Sequence, residues 1–183
     1  GEWDADGIAE RMESVGAKLS AGALRDMAFV SVRTLTRQPA QETALATLSA
    51  VISEPAFDES DLERVRQNTL TGLRRDEQDP GTLGKKAVYR KIFGDHPYAA
   101  DPSGTQEGVA ALSRDDLVRF HGRYYVASNA VVAMVGALTR EQAQAVAERV
   151  TAGLARGERA PRLPPVPELE SATLERLSFP STQ

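Results

Sequence analysis

The sequence predicts an α+β fold in two layers, with a mostly antiparallel sheet covered on one face by helices. Three observations point there. Residues 17–24 and 27–35 alternate apolar or small with polar residues and are separated by Arg25-Asp26 alone, as in a hairpin. Residues 130–136, Ala-Val-Val-Ala-Met-Val-Gly, form a continuous apolar run whose length and β-branching favour a central strand. Around these lie stretches with apolar residues at helical spacing and recognisable caps.

The chain has 183 residues, enough for one domain with a core. Its formal net charge is −4, with no basic footprint, so nucleic acid is not an expected partner. It has no cysteine, which excludes disulfides and thiol catalysis. No apolar run reaches the length of a membrane span. The chain begins with Gly1 and ends in what reads as an incoming strand, and is expected to be an excised piece of a longer protein. The expected division is a domain over 1–156, a proline-rich linker over 157–170, and the start of a second, truncated half-domain over 171–183.

The elements follow in order. Asp4 or Asp6 caps a first helix in which Ile8, Met12 and Val15 share a face, and Gly16 suits its left-handed end. After the two strands, Pro39 opens a helix with Leu45, Leu48, Val51 and Ile52 on its buried side, and Pro55 ends it. Residues 58–78 read as one long helix. Asp58 is its expected cap, Leu62, Val65, Thr69 and Leu73 form a narrow apolar face, and Asp79-Pro80 stops it. A helix over 82–93 closes at Gly94, and a Pro-, Gly- and Asp-rich loop runs from Asp95 to Gly104. Short and longer helices follow over 106–112 and from Ser113-Arg114-Asp115-Asp116 onward, burying Leu117 and Phe120. Thr139-Arg140-Glu141-Gln142 is a capping box for a helix to about 155. Pro161, Pro164, Pro165 and Pro167 stiffen the linker, and 173–179 alternate as a strand.

The ordered set "VGAKLSAGALRDMAFVSVRTL", "ISEPAFDESDLERVRQ" and "FGDHPYAADPSGTQEGVAALSRDDLVRFHGRYYVASNAVVAMVGAL" resembles the insulinase/pitrilysin family of zinc peptidases, in its processing-peptidase-like branch. The resemblance covers nearly the whole chain and implies a metallohydrolase-like domain. In active members of that family, His-x-x-Glu-His supplies two zinc ligands and a glutamate base, and a glutamate on a later helix supplies the third ligand. The 58–78 helix resembles that later helix. Where the family reads Leu-Glu-Glu, this chain has Leu70-Thr71-Gly72, so the ligand position is Thr71, a poor zinc ligand. The resemblance places the zinc-motif helix and the first strands before Gly1. It also implies that the first strand is an edge able to pair with extended peptide, at Ser20, Ala21, Gly22 and Ala23, whose small side chains permit close approach. An ordinary sheet edge is the alternative.

The other candidates each carry two readings. His96 and His121, the only histidines, are metal or acid–base groups, or else a loop brace and a helix-surface residue. Asp76, Glu77 and Asp79 offer a substitute metal ligand or are a solvated helix end. No phosphate loop and no Gly-x-Ser-x-Gly elbow occurs. The expected function is a non-catalytic peptidase-like domain that supports a catalytic zinc-peptidase subunit and binds extended peptide. No catalytic residue and no cofactor is assigned to this chain, and zinc is expected only in the partner. An active zinc metalloendopeptidase with its motif upstream and a purely structural subunit are the alternatives. The resemblance places the protein in the bacterial periplasm or envelope, and a homodimer of the fragment through exposed apolar surface is a further expectation.

Overall fold

The computed structural model describes residues 3–180. Two compact units share the chain. One comprises Gly1–Asp58 with Arg114–Ala160, the other Glu59–Ser113 with Pro161–Gln183.

In the first unit, α1 (Ala5–Ser14) starts where the Asp4 carboxylate accepts from the Gly7 amide at 2.8 Å. It ends at Gly16, whose φ of 65° suits glycine. Strands β1 (Lys18–Ala23) and β2 (Ala28–Arg33) then pair antiparallel, with Leu19 opposite Val32 and Ala21 opposite Val30. The turn is the two-residue one expected, closed by the Leu24 amide donating to the Met27 carbonyl at 2.7 Å. α2 (Ala40–Ser53) and α7 (Arg140–Thr151) supply the core. Leu45, Leu48 and Val150 are buried together, and Leu19, Val30, Val32, Ile52 and Val146 pack on them. A second cluster joins Met12, Ala17 and Ala44. Burial of each large aliphatic side chain contributes about 1.5–3 kcal/mol, so the period-2 face of the hairpin and the 3.6-period faces of the helices hold this unit together. Thr139 and Gln142 form the expected capping box at the start of α7. Gly153 lies against Ser53, where a β-carbon would come within 2.6 Å of the Ser53 hydroxyl. α6 (Arg114–Tyr124) also belongs here: its Arg114 donates to the Ala56 and Phe57 carbonyls.

In the second unit, α3 (Glu59–Asp76) is followed by α4 (Pro80–Phe93) and the short α5 (Gln106–Ala111). Asp79-Pro80 both stops α3 and starts α4. Proline occupies the first turn, and the Asp79 carboxylate accepts from the Gly81 and Thr82 amides. The expected apolar face of α3 is met at Leu73 and, half-buried, at Leu62 and Thr69, but not at Val65. Leu70 and Leu73 are buried, whereas Val65 is 51 % exposed. Arg66 takes the inward position instead, and its guanidinium donates to the Val109, Ala110 and Leu112 carbonyls at 2.6–3.1 Å. Those carbonyls end α5, so an arginine on one helix satisfies the C-terminal acceptors of another.

The expectation of a mostly antiparallel sheet is corrected. Helices dominate, and the sheet has two strands among the described residues. Residues 130–136 form no strand, and Val131 and Val135 are 89 % and 104 % exposed. Residues 173–179 form none either, and 181–183 lie outside the described residues. The physical reason is the same for both. A strand exists only through a ladder with a neighbour, and an apolar β-branched run reports a preference for such a neighbour without supplying one.

Candidate functional site

The resemblance directs attention to the Thr71 position and to the β1 edge, which lie in different units. Thr71 sits on the exposed side of α3, one residue after the buried Leu70. Its hydroxyl donates to the Gln67 carbonyl of the preceding turn at 2.8 Å. A hydroxyl so engaged is a poor metal donor, because zinc takes thiolate, imidazole or carboxylate. Among the described residues, no three of His, Cys, Asp and Glu converge as a ligand set. The described side chains therefore do not fit a zinc ion.

The acidic cluster after Thr71 is engaged otherwise. Asp76 pairs with Lys86 at 3.0 Å, and Lys86 also reaches Asp101 at 2.7 Å. Asp101 first and Asp76 second raise the Lys86 ammonium above its ordinary range. Glu77 accepts from the Gln106 side-chain amide through Nε2. Asp79 caps α4, and the Thr82 hydroxyl and then the Thr82 amide hold its carboxyl below the usual carboxylate range. Each carboxylate has a local task at a helix end.

Both histidines are structural braces. The His96 ring is buried; its Nδ1 accepts from the Tyr98 amide at 3.1 Å, so Nε2 carries the proton and donates to the Pro164 carbonyl at 2.9 Å. His121 faces the Ile52 carbonyl through Nε2 at 2.8 Å, stacks on Tyr125 and meets the edge of Phe57. It is half-buried, not the surface residue expected of its helix.

The other sequence-based candidate is the β1 edge. Among the described residues only β2 pairs with it. Ladder parity, set by the Leu24–Met27 bond, turns the backbone groups of Lys18, Ser20, Gly22 and Leu24 toward β2. Those of Leu19, Ala21 and Ala23 point away and are the ones an added strand would use. Ser20, Ala21 and Ala23 are exposed; Gly22 is half-covered by the ring of Phe29, which a β-carbon would approach within 2.6 Å. Glycine at 22 thus lets an aromatic ring close over the face of the strand away from the core.

The sequence model of the family described as Insulinase (Peptidase family M16) matches residues 1–106. The chain belongs to the insulinase family, peptidase family M16. A second family model, Peptidase M16 inactive domain, matches residues 111–183. A peptidase M16 inactive domain from Pseudomonas fluorescens superposes with a TM-score of 0.88 at 32 % identity, covering 91 % of this chain and 40 % of that one. An "Uncharacterized zinc protease" of Rickettsia bellii is 26 % identical over 83 % of this chain and 36 % of its own length. The "Non-peptidase homolog YmxG" of Helicobacter pylori is 24 % identical over 77 % of this chain and 32 % of its own length. The M16 chain thus spans about a third of the length of the curated relatives it matches.

Proposed function

We propose that this M16 chain is a non-catalytic peptidase-like domain of a two-subunit zinc peptidase, supporting a catalytic partner and offering β1 to extended peptide. The observation that carries the reading is Thr71, whose hydroxyl is spent on the Gln67 carbonyl; this reading takes Thr71 as the counterpart of the third-ligand position that the resemblance implies. The match to an inactive M16 domain and the likeness to a non-peptidase homolog support it. The periplasm or cell envelope is the proposed location. Zinc belongs to the partner in this reading, because only there can a complete ligand set lower the pKa of bound water and polarise a carbonyl. The likeness to the Rickettsia bellii protein, named a zinc protease, favours the second reading, an active zinc metalloendopeptidase that finds its ligands elsewhere in the parent protein.

Metal analysis of the intact protein, purified without chelator, separates the two. The proposal expects zinc at background and a zinc-bearing M16 subunit in the same complex. Near-stoichiometric zinc in the isolated protein overturns it.

A further inference from the structure

The proline-rich segment after α7 is held at two places. Its beginning is tied to residues 126–129. The Ala127 amide donates to the Ala155 carbonyl at 2.7 Å and the Ser128 amide to the Arg156 carbonyl at 3.1 Å. The Ser128 hydroxyl donates to the Gly157 carbonyl at 3.0 Å, and the Ala160 amide to Asn129 Oδ1 at 3.2 Å. Gly157, with φ of 55°, passes so close to Val126 that a β-carbon would lie 2.4 Å from its Cγ1.

The second hold is His96. This ring sits in an aromatic cage, 4.7 Å from the Tyr98 ring centroid and 6.1 Å from that of Phe93. Its two nitrogens do different work: Nδ1 caps the turn Pro97–Ala99 by accepting from Tyr98, and Nε2–H reaches the Pro164 carbonyl, 68 residues on. Pro161, Pro164, Pro165 and Pro167 have no amide to donate and narrow backbone freedom, so one well-placed bond orders several residues. Leu163 and Val166 are 43 % and 46 % exposed.

We propose that His96 is a clamp that pins residues 161–167 to the α4 end, making this segment a fitted strap whose course one imidazole N–H decides. His96 is a positioning residue here, and the proposal does not depend on whether the parent protein binds zinc. A loose linker would need no buried ring with a defined tautomer reaching its backbone; a flexible tether would leave Nε2–H buried without an acceptor, which is costly.

Limited trypsin digestion of the intact protein tests the clamp, because Arg162 lies on the strap and Arg156 at the first hold. Two substitutions separate the roles of the ring. His96→Phe keeps the cage packing and loses both bonds. His96→Asn keeps an acceptor for the Tyr98 amide and is too short for Pro164. Both are expected to speed cleavage after Arg162 about tenfold, the population change that loss of one hydrogen bond gives a locally opening segment, while cleavage after Arg156 keeps its rate. Wild-type rates after Arg162 in His96→Asn overturn the clamp and leave His96 as a turn cap. Faster cleavage at both sites in His96→Asn overturns it too, because the substitution then loosens the fold at large.

Discussion

At the scale of single residues, the glycines separate into those that geometry demands and those it does not. Gly157 combines a positive φ with a 2.4 Å approach to Val126, so a methyl group there meets both strain and a clash. Gly157→Ala is expected to cost about 1–3 kcal/mol, measured by urea unfolding. Gly72, inside α3, has open space where a β-carbon would go. Gly72→Ala is expected to stabilise by about 0.5–1 kcal/mol, the helix-propensity difference, in the same assay. Equal effects of the two would contradict this account. The histidines teach a related point. Their lack of metal-ligand spacing was legible in the sequence, and a loop-bracing role for His96 follows from it. The acceptors, Pro164 and Ile52, lie 68 and 69 residues away and carry no local signal.

At the scale of elements, caps and breakers were the most legible features. Asp4, Asp79-Pro80 and the Thr139–Gln142 box act within one turn of themselves, so their chemistry is readable from neighbours alone. The inward face of α3 was legible at Leu62, Thr69 and Leu73 but not at Val65. Val65 and Arg66 compete for it, and the α5 carbonyls decide in favour of arginine. The β1 edge yields a sharper test of peptide pairing than its small side chains suggested. The Ala21 amide points away from β2, so proline there removes a donor from the free edge and none from the ladder. Ala21→Pro is expected to keep the circular dichroism spectrum and to weaken binding of a labelled extended peptide at least about tenfold, through lost main-chain bonds and the bulk of the ring. Unchanged affinity, read by fluorescence anisotropy, would show that peptide does not add to this edge.

At the scale of the whole molecule, the apolar run 130–136 is the feature most at odds with the described surroundings. Val131 and Val135 stand in solvent, and Leu174 is similarly exposed. Exposed apolar side chains such as Val131 and Val135 favour association. The 183-residue chain is therefore expected to self-associate in sedimentation velocity, and Val131→Lys with Val135→Lys to shift it toward monomer. A wild-type chain that stays monomeric across the concentration series would show that these valines are not a contact surface.

The sequence by itself determined what is local: helix starts and stops, the two-residue hairpin and the absence of cysteine chemistry. The ordered motifs also carried the family, because order along the chain survives where single motifs diverge. Only the tertiary structure decided that Arg66 and not Val65 turns inward on α3, what His96 and His121 hold, and that residues 130–136 have no ladder here. Those outcomes depend on partners tens of residues away or on strands that must be present to pair, and neither leaves a mark in the residues' own periodicity.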